Sequence, residues 1–260
     1  PRPRVGRVRC CMKPWMRIGR VKSDCCPSPS SPAEGAGTVR LLGRFPSGSA
    51  VVGGGLLING LTVYAFITLA SRDLGPQDYS PVGMLWVLSF LLGPGFFLPL
   101  EQETARAIAS RLGRGVLPVV RAAASIGGLM ALCLALVAVM MGPWLVDRVF
   151  DGEGWLLVGL LLSLVGLGLA HLTKGVLAGL GRFGCYARYV VGEGLGRLLV
   201  VGVLVVVTSG GIGAYGMAIG LAPFVGIAVA LVGQRGLASP GPPVELGDLS
   251  LALGPLLVAS

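Results

Sequence analysis

The sequence predicts an all-α integral membrane protein, a bundle of six transmembrane helices followed by the start of a seventh. Three observations lead to this fold class. The mean hydropathy is +0.80, charged residues make up only 13% of the chain, and long apolar runs alternate with short polar stretches. A soluble domain carries about 25% charged residues, so this chain has too few to cover a water-facing surface. Lipid is therefore the predicted solvent for most of it.

Four regions follow from the composition along the chain. Residues 1–46 are rich in arginine, proline, serine and cysteine and have no apolar period, which predicts a disordered basic tail. Residues 47–234 form the predicted six-helix lobe, and residues 235–248 a linker rich in proline and glycine. The apolar run over residues 249–260 is too short to cross a bilayer, so it is predicted to begin a seventh helix.

The six predicted spans each have close to the roughly 20 apolar residues that a hydrocarbon core of about 30 Å requires. Turn residues at Gly75-Pro76 predict a short loop over residues 71–79. Pro94, between two glycines, predicts a kink in the second span, because proline lacks a backbone donor. The polar residues from Glu101 to Arg106 are predicted to extend this helix at the cytoplasmic edge. The spans are 50–70, 82–100, 117–141, 155–172, 189–208 and 212–232.

The distribution of basic residues predicts the orientation. All but two of the 21 Lys and Arg residues fall in the tail and in alternate connections, the exceptions being Arg72 and Arg148. Cytoplasmic segments of membrane proteins carry this excess, so the N-terminus is predicted to be cytoplasmic. The net charge of +9 is explained in the same way, and no nucleic-acid partner is predicted.

Several kinds of chemistry lack a sequence signature. Two G-x-G-x-x-G matches, starting at Gly179 and Gly211, lie between spans and not after a strand, which argues against a dinucleotide site. No Walker A motif, G-x-S-x-G or C-x-x-C occurs, and His171 is the only histidine. We therefore predict no catalytic residue, no metal and no cofactor. The G-x-x-x-G pairs that begin at Gly175, Gly192 and Gly216 predict close helix packing within one bundle.

Charged residues in or beside the spans are the candidate site residues. Glu193 and Arg197 are four residues apart and share a helix face, so they can pair. The pair either stabilises the helix at the interface or faces a polar cavity, and both interpretations stay open. The same two interpretations apply to the group that contains Arg106. The full set of predicted cavity charges is Glu101, Glu103, Arg106, Lys174, Glu193 and Arg197.

Three segments resemble the multidrug/oligosaccharidyl-lipid/polysaccharide exporter superfamily, in particular its polysaccharide branch, the O-antigen-type flippases. The stretch from Arg72 to Tyr79 is similar to the R-x-L-G-P-x-x-Y motif after the first helix of that family. The stretch from Pro99 to Arg106 resembles the charged end of its second helix. The stretch from Gly179 to Tyr186, followed by Glu193 and Arg197, is like its loop between helices four and five.

The resemblance implies an N-terminal lobe of a two-lobed transporter, with the C-terminal lobe missing from this chain. It implies a non-enzymatic flippase of the cytoplasmic membrane that carries a lipid-linked oligosaccharide or polysaccharide precursor across the bilayer. Arg106, Lys174 and Arg197 would hold pyrophosphate or sugar carboxylates. The alternatives are a cation-coupled drug exporter of the same superfamily, a membrane-embedded glycosyl- or acyltransferase, and a membrane scaffold without transport activity. The predicted partners are the bilayer, the lipid-linked glycan and the missing lobe.

Overall fold

A computed structural model describes residues 47–111, 115–208, 211–235, 237 and 239–242, all within one compact unit, Leu42–Ser260. The predicted tail and the start of the seventh helix lie outside the described residues, as does most of the linker. The described residues form α-helices and one π-helical turn, without strands. In chain order these are α1 (Ser47–Leu92), the π-helical turn (Gly93–Phe97), α2 (Leu98–Ala109), α3 (Leu117–Met140), α4 (Gly142–Arg148), α5 (Gly154–Gly179), α6 (Phe183–Thr208) and α7 (Ile212–Leu231).

Helix α1 reverses direction at a single residue, Gly75. Its φ of 77° and ψ of 172° are not helical, and positive φ is readily adopted only by glycine. The rings of Phe66 and Trp86 stack with centroids 5.7 Å apart, although 20 residues of straight helix would separate them by about 30 Å. The two parts of α1, residues 47–74 and 76–92, therefore run side by side. The sequence predicts a loop over residues 71–79, but the structure needs only this glycine to turn the chain.

The kink predicted at Pro94 is present as a π-helical turn of five residues, Gly93–Phe97. The turn separates α1 from α2, and such turns occur where the regular hydrogen-bond ladder is interrupted. Helix α2 then carries the charged stretch that the sequence places at the cytoplasmic edge. Two of its carboxylates are buried, with Glu101 only 7% and Glu103 only 3% exposed. The helical extension predicted for these residues is correct, but its acidic side chains point into the protein.

Glycines set the distances between the central helices. A Cβ at Gly159 of α5 would lie 2.7 Å from the carbonyl oxygen of Gly216 on α7, and a Cβ at Gly175 would lie 2.7 Å from the carbonyl oxygen of Glu101 on α2. A Cβ at Gly192 of α6 would lie 2.9 Å from the side chain of Val229 on α7. These contacts confirm that the G-x-x-x-G pairs serve packing within the bundle, because only glycine admits a neighbouring backbone this closely.

Replacing Gly159 by alanine is expected to destabilise the bundle by about 1–3 kcal/mol, because the new methyl group would overlap the backbone of α7. Gly128 of α3 is the matched control, since a Cβ there meets no atom within 4 Å. Gly128→Ala should be neutral or stabilising by up to about 1 kcal/mol, as expected for alanine in a helix. Thermal unfolding of the two purified variants measures the difference. Equal stabilities would contradict the close approach of α5 and α7.

The outer surface of the bundle is apolar. Large exposed side chains include Leu57, Leu61, Phe90, Met140 and Val206, and the last two are each 82% exposed. Within the described residues, five helical stretches are long and apolar enough to cross a membrane, and the first of them, Gly48–Ala109, contains the reversal at Gly75. Such a surface requires a non-aqueous solvent. The chain is therefore a multi-pass membrane protein, with five to six long apolar helices in the part that the structure describes.

Candidate functional site

A polar cavity of about 200 Å³ lies between the two parts of α1 and helices α5, α6 and α7. A larger groove of about 270 Å³ between α3 and α5 is lined by small and apolar residues only, so it offers no groups to orient a polar ligand. In the polar cavity, all of the charged lining comes from α5 and α6. The polar and charged lining residues are Asn59, Ser89, Ser163, His171, Lys174, Tyr189, Glu193 and Arg197.

Glu101 is the centre of a buried polar cluster beside this cavity. Its Oε2 lies 2.7 Å from His171 Nδ1 and 3.1 Å from Lys174 Nζ. Its Oε1 accepts a hydrogen bond of 2.9 Å from the hydroxyl of Tyr186. One carboxylate of α2 therefore binds two side chains of α5 and one of α6. Charge-assisted bonds of this kind are the strongest in proteins, so the cluster ties three helices together and orients Lys174 and His171 at the cavity wall.

Arg197 is the second centre, and it is only 6% exposed. Its Nη2 lies 3.1 Å from Glu193 Oε1, one turn away on α6. Its guanidinium carbon lies 4.6 Å from the ring centroid of Trp86 and 5.9 Å from that of Phe66. A guanidinium over aromatic faces is stabilised by their negative charge. The aromatic pair of α1 and the carboxylate of α6 thus hold the guanidinium in place at the cavity.

Two nitrogen atoms of the Arg197 guanidinium make no hydrogen bond. Its Nε and Nη1 are buried without a hydrogen-bond partner, and so is Oδ1 of Asn59, which lines the same cavity. Most buried polar groups in proteins are hydrogen-bonded. The unpaired Nε and Nη1 lie on opposite sides of the guanidinium, and each can donate a charge-assisted hydrogen bond to an oxygen of a carboxylate or phosphate. The geometry can therefore bind an anionic group without any covalent step.

The comparisons with known proteins give relatives but no function. No protein-family model matches the chain. No solved structure matches it either. Uncharacterized proteins of Mycobacterium tuberculosis and Mycobacterium bovis are 32% identical to it over 192 residues. The match covers 70% of this chain, and the chain spans 42% of the length of each of these relatives.

The structure brings four of the six predicted site residues together. Lys174, Glu193 and Arg197 line the cavity, and Glu101 binds Lys174 directly behind it. Arg106 is not part of this group. Its side chain is 65% exposed and pairs with Glu103, one helical turn before it, through Nε at 2.8 Å and Nη2 at 2.5 Å. Neither residue of this pair lines the cavity.

Sequence reasoning missed two members of the Glu101 cluster, His171 and Tyr186. His171 is the only histidine of the chain, it lies in an apolar span, and it precedes Lys174 by three residues, which places both on one helix face. This position and spacing could have identified His171 as a site residue from the sequence. Tyr186 offered none, because its contact to Glu101 joins residues 85 positions apart.

Proposed function

We propose that this chain is the N-terminal lobe of a transporter that moves a lipid-linked oligosaccharide or polysaccharide precursor across the cytoplasmic membrane. The supporting observation is Arg197, a buried guanidinium with free donors at a polar cavity inside an apolar bundle. A charged residue within a membrane-spanning bundle is costly and marks a functional site by default. The phosphate or carboxylate groups of a lipid-linked glycan are the anions proposed to bind there.

In this proposal α1 counts as two spans, which gives six spans with a cytoplasmic N-terminus. The C-terminal lobe that the resemblance implies would complete the transport path. The resemblance of the segments near Gly75, Glu101 and Gly181 to O-antigen-type flippases supports this arrangement. The transport step needs positioned charges and a change in which side of the membrane the cavity faces, and it needs no cofactor.

Arg197 and Lys174 are the residues proposed to hold the anion, and Glu193 and Glu101 are proposed to hold those two cations in position. We expect Arg197→Ala and Lys174→Ala, made in the full-length protein, to lower surface glycan at least about tenfold, as the loss of one charge-assisted hydrogen bond of roughly 1.5–3 kcal/mol would do. Surface glycan is measured by lectin binding to whole cells, with protein level checked by blotting.

Arg106→Gln serves as the matched control, because this arginine is exposed and lies outside the cavity, and glutamine keeps a donor for the buried Glu103. Its surface glycan should stay close to that of the unchanged protein. Export that is equal in all three variants would remove the assignment of the site. Export that falls only in Arg106→Gln would move the site to the opposite face of α2.

A cation-coupled drug exporter of the same superfamily is the second candidate. It is favoured by the buried carboxylate of Glu101, since such an exporter is expected to carry a carboxylate within this lobe. Efflux of a lipophilic cation such as ethidium separates the two candidates. Ethidium efflux that depends on Glu101, with unchanged surface glycan, would favour the exporter.

A further inference from the structure

His171 faces the cavity among a defined set of charged and titratable groups. Glu101 comes from α2, Lys174 from its own helix α5, and Tyr186, Tyr189, Glu193 and Arg197 come from α6. Helix α7 adds only Ile219 and Pro223 to the lining, and the two parts of α1 add no charged residue. The ring of Phe97 lies beside the imidazole, with centroids 6.3 Å apart and planes at 23°.

The fixed charges of this set cancel. Lys174 and Arg197 are cations, and Glu101 and Glu193 are the anions that bind them. With a neutral His171 the cavity therefore has no net charge, and with a protonated one its net charge is positive. Histidine is the side chain that changes charge near neutral pH. His171 thus decides whether the cavity as a whole attracts an anion.

Lys174 and His171 share one carboxylate oxygen while the cavity is empty. Lys174 Nζ and His171 Nδ1 both bind the same atom, Oε2 of Glu101. A protonated imidazole would put two cations on one carboxylate oxygen, in surroundings where charges are poorly screened. An anion in the cavity adds a second negative charge and relieves this repulsion.

We propose that His171 takes up one proton when an anion enters the cavity, so that anion binding and proton uptake are coupled at this site. The inference rests on the anion site of the proposed function. In the neutral ring Nδ1 carries the hydrogen, because the carboxylate of Glu101 can only accept. The proton from water is therefore added at Nε2, the ring becomes imidazolium, and it returns the proton when the anion leaves.

The single histidine permits a direct measurement. The chain is labelled with ¹⁵N-histidine, reconstituted in lipid nanodiscs, and titrated by NMR with and without sulfate, which remains a dianion across the range used. Only one imidazole can contribute to the spectrum, since the sequence has one histidine. We expect saturating sulfate to move the midpoint of His171 protonation upward by about one pH unit, which corresponds to about tenfold coupling.

Coupling is reciprocal, so sulfate should bind more tightly at about pH 6 than at about pH 8, by up to about tenfold. His171→Gln keeps a donor for Glu101 and should bind sulfate with an affinity independent of pH. Asp147→Asn, which removes an exposed carboxylate of α4 outside the cavity, should keep the pH dependence. The NMR titration of the unchanged chain remains informative if His171→Gln does not fold.

The outcomes separate this inference from the proposed function. Sulfate that binds equally at both pH values, or that leaves the His171 titration unchanged, overturns the coupling and leaves the anion site intact. Sulfate that fails to bind at either pH overturns both. A pH dependence that persists in His171→Gln would assign the proton to another group and also overturn the inference.

Discussion

Glu101→Ala is expected to destabilise the bundle by at least about 3 kcal/mol, because it leaves the largely buried Lys174 without its carboxylate. The same change removes the acceptor of Tyr186 and the partner of His171 Nδ1. Each unsatisfied buried donor adds about 1–3 kcal/mol to the loss. Unfolding by SDS in mixed micelles, followed by circular dichroism, measures the free energy of unfolding of the variant.

Two further variants identify the cause of that loss. Glu103→Gln on the same helix should have a smaller effect, since its partner Arg106 is exposed to solvent and does not need the carboxylate. The double variant Glu101→Gln with Lys174→Met should recover most of the stability, because the unpaired charge is then gone. If the double variant is less stable than Glu101→Ala, the pairing with Lys174 is not what holds α2 against α5.

Glu193→Gln is expected to destabilise the protein by about 3–5 kcal/mol, the effect of leaving one partner of a buried pair as an uncompensated charge. The side chain of Arg197 is only 7% exposed, and the rings of Trp86 and Phe66 offset part of the loss. The same micelle unfolding experiment measures the change. In a background that keeps only Trp86 of the four tryptophans, the fluorescence reports on the surroundings of the guanidinium.

The double variant Glu193→Gln with Arg197→Met separates stability from binding. Its stability should return to within about 1 kcal/mol of the unchanged chain, since a buried pair replaced by uncharged side chains is often neutral. Its sulfate binding should be lost, because the free Nε and Nη1 of Arg197 are removed with the side chain. Sulfate binding that is retained by this variant would show that another residue holds the anion.

The pattern of apolar and polar residues along the chain was sufficient to locate most of the helices. The ends of α3 and α7 agree with the predicted spans to within one residue, because apolar length and the flanking glycines and prolines are local properties of the chain. The predicted and observed helix ends agree less well where polar residues precede a span. Helix α6 begins at Phe183, six residues before the predicted start at Tyr189, because polarity alone does not distinguish the end of a helix from a loop.

The candidate site was only partly predictable. Glu193 and Arg197 could be paired from their spacing, since residues four apart on a helix are neighbours. The location of Arg106 outside the cavity could not be predicted, because it depends on which face of α2 packs against α5. That face is selected by Gly175 and Gly179, which admit the backbone of Glu101 and Ala105.

The sequence by itself determined that lipid surrounds this protein, where its apolar helices lie, and that a few charged residues must be placed within them. Hydropathy, length and charge count are sums over neighbouring residues, so they can be read along the chain. Only the tertiary structure decided that Gly75 reverses the chain within one residue, and that Glu101 meets His171, Lys174 and Tyr186. These contacts join residues 70 to 85 positions apart. They depend on the packing of whole helices, which no local pattern encodes.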